Sequence, residues 1–307
     1  MSRNLNAADL NVDNILPEYP VKNLSNIKFC NGTTYCADSS LIQKRIYDMQ
    51  NPSPEECAKA KFLIYSPLNI GIGATIHLVA DAMTVAINTG RILYIATGGS
   101  TWAPSTCEEG TMRCYFEPIT SCPIDESKIP SYPKWKKDTW KKLQADGEQY
   151  VLVDFTGPRP SGPGIWCYGS LAGRLPDKFL EGVSNEAPFR TQETPLMSQI
   201  VRYLLRPLHW FKQDIHKRMA QMHHNLKLEA PFASIHVRYG DKSREAPRMP
   251  LPNYMTLLKK NRPDIKTVFI STETESVIHE LQAHNPGYTF QHFNYARVEG
   301  SAPHSST

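Results

Sequence analysis

A short apolar strand that runs directly into a charged loop places the strongest constraint on how this chain folds. Residues 232–237 read FASIHV, and the loop that follows carries Arg238, Asp241, Lys242 and Glu245. Open α/β sheets deliver polar groups to a ligand in this way, beyond the carboxyl ends of their strands. The pattern therefore predicts a parallel-sheet protein with a ligand site in this loop.

The side chains of the loop suit a phosphorylated ligand. Arg238 offers a planar pair of donors to phosphate oxygens, and Lys242 offers a compact positive charge. Glu245 can take a proton from a hydroxyl group of a second substrate. The alternative is a structural cluster in which Arg238 and Lys242 pair with Asp241 and Glu245, because charged residues on loops are usually only solvated.

The order of residues 236–242, His-Val-Arg-x-x-Asp-Lys after an apolar strand, resembles the donor-binding motif of the α1,6- and protein O-fucosyltransferases. The strongest resemblance is to the eukaryotic α1,6-fucosyltransferases that core-fucosylate N-glycans. Further segments resemble the start of that family's catalytic domain, its Gly-rich donor-side loop, the helix before its Arg motif, and the strand and acidic turn after it. These segments are residues 46–61, 69–77, 198–207 and 270–273, so the resemblance covers roughly residues 40–295.

The resemblance implies an α/β fold of the GT-B-like glycosyltransferase type, with two Rossmann-like halves of which the second is truncated. The residues themselves indicate a βαβ unit, because an apolar helix that ends at Gly90 separates apolar strands at 62–65 and 91–95. A second alternation of strands and helices runs from residue 232 to residue 283. The predicted domains are a polar lead with a short helix (1–56), an N-terminal α/β domain (57–194) and a donor-binding domain that is incomplete at its C-terminus (195–307).

The function that the resemblance implies is transfer of fucose from GDP-fucose to a hydroxyl of a glycan or glycoprotein, by an inverting displacement without a cofactor. Arg238 and Lys242 would neutralise the departing diphosphate, and Glu245 would act as the catalytic base, with Asp241 as its reserve. We expect no metal, since the sequence has no Asp-x-Asp or His/Asp cluster suited to Mg²⁺ or Mn²⁺. The residues assigned to donor binding are His236, Arg238, Asp241, Lys242, Gly71, Ile72, Gly73, Ala74 and Glu273.

The chain also departs from the family's pattern. Tyr239 stands where the family usually has a second Arg, and Glu273-Thr274 stands where it has a pair of Asp residues. The sequence ends at Thr307, before the family's Ser-rich nucleotide-binding turn and its SH3-like module. We therefore expect a GDP-fucose fold, with weak or absent turnover by these 307 residues.

Two other functions stay open on the sequence. The first is a family member that binds a nucleotide-sugar or a glycan without catalysis. The second is an NAD(P)-binding Rossmann protein, because Gly71-x-Gly73 lies between a strand and a helix. The third glycine of that fingerprint is absent, and the next strand ends Ile95-Ala96-Thr97 without an acidic residue for the ribose. Protection by GDP against unfolding separates the first function from the second.

Seven cysteines are present, and none forms a Cys-x-x-Cys pair, so a zinc or thioredoxin-like site is not indicated. Two pairs each bracket a short loop that contains glycine, which is a natural spacing for a disulfide bond. The resemblance implies a third bond, at positions where the fucosyltransferases close one. The predicted bonds join Cys30 to Cys36, Cys107 to Cys114, and Cys57 to Cys122, which leaves Cys167 as the odd cysteine.

The cysteines and two N-glycosylation sequons, at Asn23 and Asn31, favour the Golgi or another secretory lumen. No membrane anchor is visible, because the first residues lack an apolar segment and no stretch reaches the ~18–20 apolar residues of a membrane span. We expect the natural protein to extend beyond both ends. The net charge of +4 is too small to indicate a nucleic-acid partner, and the sequence does not indicate an oligomeric state.

Overall fold

The computed structural model of the chain describes its helices and strands and most of the segments that join them. The described residues are 34–68, 71–96, 107, 110, 112–133, 135–136, 143, 145–154, 175–184, 193–226, 228, 230–240 and 247–294. The α-helices among them are α1 (Thr34–Gln50), α2 (Pro54–Lys59), α3 (Ile72–Thr89), α4 (Glu193–Leu204), α5 (His209–Asn225), α6 (Leu251–Asn261) and α7 (Glu275–His284). The strands are β1 (Phe62–Tyr65), β2 (Ile92–Ile95), β3 (Trp135–Lys136), β4 (Tyr150–Asp154), β5 (Ala233–Val237), β6 (Thr267–Thr272) and β7 (Thr289–His292).

The chain divides into two units, residues 1–212 and 213–307, and each unit has its own parallel sheet. In the first unit the strand order is β2-β1-β4-β3, and every pairing is parallel. Leu63 of β1 lies between Leu93 of β2 and Val151 of β4. All four residues of β1 are buried, as expected for a central parallel strand that is covered on both faces. The predicted α/β class is confirmed.

Gly90 ends α3 and turns the chain into β2. Its φ of 62° lies in the left-handed region, which glycine adopts without a steric penalty. The backbone N–H of Gly90 donates to the carbonyls of Ala86 and Ile87. The N–H of Arg91 donates to the carbonyl of Ala86 at 2.9 Å. The helix therefore ends where the sequence predicts, and β1, α3 and β2 form the predicted βαβ unit.

Among the described helices, α3 alone is long and apolar enough to cross a membrane, judged by length and composition. This corrects the expectation that no stretch of the chain reaches that length. Most of α3 is nevertheless buried inside the first unit, where it packs on β1, β2 and α4. Its Val79, Ala82 and Met83 belong to the main apolar core. We therefore interpret α3 as the core helix of this unit.

The helix α4 belongs to the first unit, although the predicted domain boundary between residues 194 and 195 falls in its first turn. It packs against α1 and α3, and its Ile200, Tyr203 and Leu204 are buried in the main core. The hydroxyl of Tyr203 also donates to the carbonyl of Ile119 at 2.7 Å. The first unit therefore extends past the boundary that we predict at residue 195.

Arg206 follows α4 and fixes the segment 117–122 of the first unit. Its guanidinium is almost completely buried, with Nε 3.0 Å from Oε2 of Glu117. Nη2 of Arg206 donates to the carbonyl of Pro118 at 2.8 Å. The hydroxyl of Thr120 donates to the carbonyl of Gln50 at 2.5 Å. Hydrogen bonds from two directions therefore hold the backbone just before Cys122.

Two of the predicted disulfide bonds are present in the structure. Cys57 is joined to Cys122, with 5.4 Å between their Cα atoms, and Cys107 is joined to Cys114, with 5.9 Å. Both separations lie within the usual range for a disulfide. Cys30 lies outside the described residues, so its bond with Cys36 stays a prediction. The odd Cys167 lies outside them as well.

The second unit contains the sheet β5-β6-β7, whose pairings are parallel. The helix α6 connects β5 to β6, and α7 connects β6 to β7. Alternate residues of β5 and β6 are buried, among them Val237 and Ile270. They form one apolar cluster with residues of α6 and α7, such as Met255 and Ile278. One face of this sheet is therefore the core face, and the carboxyl ends of all three strands lie at one edge.

Candidate functional site

The carboxyl end of β5 presents two of the predicted donor-binding residues on one face. Side chains along a strand point alternately to opposite faces of the sheet. Ile235 and Val237 are buried on the core face, whereas His236 and Arg238 are exposed. The structure thus brings His236 and Arg238 to the same exposed face, at the strand end where a parallel sheet offers its polar groups to a ligand.

Glu273 lies directly after β6, the neighbour of β5. The two strands are parallel, with Val237 opposite Thr272. The backbone N–H of Gly240 donates to Oε1 of Glu273 at 2.6 Å. The resemblance assigns Glu273 to donor binding, and here one of its carboxylate oxygens holds the backbone of the loop that leaves β5. Glu273 therefore joins the two strand ends and orders the start of the charged loop.

Gly240 leaves room for this contact. A Cβ at position 240 would lie 3.0 Å from Oε1 of Glu273, which is tighter than nine in ten real Cβ contacts, so the carboxylate would have to shift. The backbone φ of Gly240 is not positive, so the need for glycine comes from this neighbour and not from the backbone conformation. The close approach of Gly240 to Glu273 therefore depends on the absence of a side chain.

The side chain of Tyr239 lies on the core face, opposite to His236 and Arg238, and connects the end of β5 to the start of α6. Its ring packs against the apolar cluster of the second unit, and its hydroxyl donates to the carbonyl of Met249. The guanidinium of Arg248 lies 5.3 Å from the centre of the Tyr239 ring. Burial raises the pKa of the Tyr239 phenol, as do Tyr254 and Glu280, while Arg248 lowers it. The sequence did not predict these contacts, because no local pattern places residue 248 against residue 239.

The other predicted site residues of the charged loop follow Gly240 in the chain. Asp241, Lys242 and Glu245 lie outside the described residues. Their assigned roles in catalysis and donor binding therefore stay predictions. The described part of this region is the frame of the loop: Arg238 to Gly240 on one side, and the residues from 247 onward on the other.

The Gly-rich segment lies in the first unit, at the N-terminus of α3. Gly71 is the residue that precedes the helix, with φ −61° and no side-chain capping bond. Gly71, Ile72 and Gly73 are exposed, and Ala74 is partly exposed. A Cβ at either glycine would meet no atom within 4 Å. Among the described residues, no atom therefore imposes a steric need for glycine at either position.

The described residues contain no cluster of side chains suited to a metal ion. Within those ranges, no group of three or more His, Cys, Asp or Glu side chains could hold a metal ion. The expectation that no metal is needed therefore stays a prediction.

Comparison with known proteins establishes the family. The chain belongs to the family described as alpha-(1,6)-fucosyltransferase N- and catalytic domains, whose model matches residues 22–298. The family resemblance inferred from the sequence motifs is thereby confirmed. The chain is 27% identical over 264 residues to the alpha-(1,6)-fucosyltransferase of Drosophila melanogaster. The alignment covers 81% of this chain and 38% of the Drosophila protein, so the chain spans well under half the length of this curated relative.

Solved structures with similar folds include a mutant of FUT1 from Arabidopsis thaliana in complex with GDP. It is 11% identical, with a TM-score of 0.50, and the match covers 87% of this chain and 69% of that chain. The fucosyltransferase NodZ from Bradyrhizobium is 15% identical, with a TM-score of 0.40, over 77% of this chain and 78% of that chain. At these identities the Arabidopsis match supports the α/β fold alone.

Proposed function

We propose that this chain carries the donor-binding and catalytic machinery of an α1,6-fucosyltransferase of the GT-B type, which transfers fucose from GDP-fucose to a hydroxyl of a glycan or glycoprotein. The observation that carries the proposal is the placement of His236 and Arg238 on one exposed face at the end of β5. Glu273 lies at the end of the neighbouring strand and holds the same loop. Because the chain belongs to the fucosyltransferase family, we interpret this arrangement as a binding site for a nucleotide-sugar donor.

Departure of GDP needs charge neutralisation more than protonation, because a nucleoside diphosphate is already a good leaving group. We assign this task to Arg238 and Lys242, whose positive charges would face the developing charge on the diphosphate. Arg238 can bind two phosphate oxygens at once through its planar fork. His236, on the same face as Arg238, would contact the donor beside it. The protein's own cations would then serve without a divalent metal.

The acceptor hydroxyl needs a base on the side opposite the departing GDP. We assign this role to Glu245, with Asp241 as the reserve candidate, because each would lie a few residues beyond Arg238 in the same loop. A single carboxylate base and a direct displacement invert the configuration at the transferred sugar carbon. We also assign Gly71, Ile72, Gly73 and Ala74 of the first unit to donor binding, since a helix N-terminus such as that of α3 favours a phosphate.

The disulfide bonds support a secretory compartment for the protein. Bonds such as Cys57–Cys122 and Cys107–Cys114 form and persist in oxidising compartments and are rare in the cytosol. We propose the Golgi as the location, since glycan fucosylation takes place on secretory glycoproteins. Immunolocalisation with a Golgi marker tests this assignment.

A binding protein without catalytic activity is the second candidate, and the contacts of Tyr239 favour it. This residue replaces the second Arg of the family motif, and its ring packs on the apolar core of the second unit. The site thereby lacks one cation at this position. GDP-fucose turnover with a glycan acceptor separates the candidates, because both bind GDP and only the enzyme releases it from the donor.

We expect Arg238→Ala to weaken GDP binding by ~1.5–3 kcal/mol, the usual loss for a charge-assisted hydrogen-bonding partner. Glu245→Ala removes a negative charge from the neighbourhood of a diphosphate, so it should leave the affinity unchanged or raise it. Titration calorimetry with GDP measures both variants. Equal losses for the two variants would show that the loop is a structural ion-pair cluster and would contradict the assignment of Arg238 to the donor.

We expect Gly240→Ala to lower GDP affinity by about 3–10-fold, because the new methyl group displaces the Glu273 carboxylate that orders the loop. The thermal stability of the protein should change little, since the contact is only part-buried and involves the flexible end of the Glu273 side chain. Gly287→Ala is the matched control, because a Cβ there meets no atom within 4 Å in the same unit. If Gly240→Ala binds GDP as tightly as Gly287→Ala does, the Gly240–Glu273 contact does not shape the donor site.

A further inference from the structure

The ring of Tyr239 is a fixed platform beside the candidate donor site. The side chain packs against the apolar cluster that is formed by residues of β5, β6, α6 and α7. The hydroxyl at its tip donates to the carbonyl of Met249, just before α6 begins. The backbone that precedes α6 is therefore tied to the carboxyl end of β5. This bond also fixes the position of residue 248, which adjoins Met249 in the chain.

Arg248 lies against the ring of Tyr239. Its guanidinium carbon lies 5.3 Å from the centre of the Tyr239 ring, within the range of a cation–π interaction. The ring attracts the cation without accepting an N–H···O hydrogen bond from it, and a guanidinium carries five N–H donors. Arg248 is exposed, and it forms no ion pair with any carboxylate that the structure describes. Its charge is thus held in place and accessible from solvent.

Arg238 and Arg248 reach the same strand end from different sides. Arg238 continues the exposed face of β5, together with His236. Tyr239, the next residue, turns to the core face and carries Arg248 against its ring. A ligand beyond the carboxyl end of β5 would therefore meet one guanidinium from each side. A single phosphate can be held by one Arg, whereas a diphosphate has two charged groups to neutralise.

We infer that Arg248, supported by the Tyr239 ring, is a second cationic contact for the diphosphate of the nucleotide donor. This inference rests on the proposed function and adds a donor-binding residue to it. It also explains how the site keeps two guanidinium groups although the residue after Arg238 is a tyrosine.

The test compares GDP and GMP binding by titration calorimetry in the 307-residue chain. We expect Arg248→Ala to weaken GDP binding by about 5–20-fold and GMP binding by about twofold or less, as for the loss of one charge-assisted phosphate contact. Arg248→Lys should recover part of the affinity, because it keeps the charge without the planar fork. Tyr239→Leu should weaken GDP binding in the presence of Arg248 and have a smaller effect in the Arg248→Ala background.

Arg262→Ala is the matched control, because Arg262 is an exposed Arg of the same unit that pairs with Asp264. It should bind GDP like the unmodified chain. Arg248→Gln keeps most of the side-chain stem, so it replaces Arg248→Ala if the latter melts at a lower temperature. If the unmodified chain binds GDP, and Arg248→Ala and Arg248→Gln bind it as tightly as the unmodified chain does, the inference is wrong and the proposed function stands. If the unmodified chain does not bind GDP, the proposed function fails and the inference fails with it.

Discussion

Replacing Glu245 by Gln should leave GDP affinity almost unchanged and lower fucose transfer by ~10²–10⁴-fold, the usual contribution of a positioned general base. The amide of Gln has nearly the shape of the carboxylate, so it preserves the packing of the loop, but it cannot accept the proton of the acceptor hydroxyl. The measurement is GDP release from GDP-fucose with a glycan acceptor, made in the longest form of the protein that transfers fucose. Calorimetry with GDP on the same samples shows whether the donor site is intact.

Asp241→Asn is the matched control for this prediction, since it makes the same chemical change in the same loop. We expect it to lower transfer much less than Glu245→Gln does, and any loss that comes from its assigned donor contact should appear as weaker GDP binding in the calorimetry. Unimpaired transfer by Glu245→Gln together with a large loss in Asp241→Asn would place the base at Asp241.

A chelator tests how the charge on the departing GDP is neutralised. Turnover that EDTA abolishes would show that a metal ion, rather than Arg238 and Lys242, neutralises the leaving group.

The elements that the sequence predicts best are those whose local pattern agrees with their packing. β1 is a continuous apolar run and occupies Phe62–Tyr65, as predicted. The helix α3 ends at Thr89 because Gly90 supplies the left-handed conformation that the cap requires. The motif strand β5 is also where its apolar alternation places it. In each case local propensity and tertiary burial favour the same structure.

The elements that sequence reasoning missed have weak local patterns. The strand β7 reads TFQH, with no fully buried residue, so its sequence carries no strand-like apolar run. It is held by parallel pairing with β6, in which Thr267 lies opposite Thr289. The helix α1 spans Thr34–Gln50 and is longer than the short helix predicted within residues 1–56. Its early residues show no apolar periodicity, so the sequence does not indicate its full length. Such elements depend on partners that are distant in sequence.

The candidate site was predictable in its residue types but not in its contacts. His236, Arg238 and Glu273 follow from the motifs and from the rule that parallel strands end at a common edge. The bond from Gly240 to Glu273 joins residues 33 positions apart, and no motif specifies it. The contact of Arg248 with Tyr239 is of the same kind, since it depends on how the chain returns to α6. Contacts between residues so far apart in sequence become visible only in the three-dimensional structure.

The second large effect that we expect concerns stability. Replacing both Cys57 and Cys122 by Ala should lower the free energy of unfolding of the first unit by about 4 kcal/mol, and its Tm by roughly 8–16 °C. The bond closes a loop of 65 residues, so its loss gives the unfolded chain much additional conformational freedom. Thermal and denaturant unfolding of the oxidised protein measure the change.

The folded state should survive this double replacement, because other contacts hold both cysteines in place. Cys57 lies in α2, which begins with a capping box in which Ser53 and Glu56 satisfy each other's backbone N–H groups. Cys122 follows the segment that Arg206 and Thr120 anchor. The bond therefore acts mainly by restricting the unfolded chain, and the variant should melt cooperatively at a lower temperature instead of losing its fold.

The bond between Cys107 and Cys114 provides the matched control, because it closes a loop of only 7 residues in the same unit. By the same chain-entropy relation, replacing both of its cysteines by Ala should cost about 2 kcal/mol, half of the effect at Cys57 and Cys122. Equal losses in the two double variants would contradict an effect that depends on loop length and would indicate that lost packing around the buried sulfurs decides the stability. Non-reducing peptide mapping that finds free thiols at Cys57 and Cys122 in secreted protein would remove the basis of the prediction, because the bond would then be absent from the natural protein.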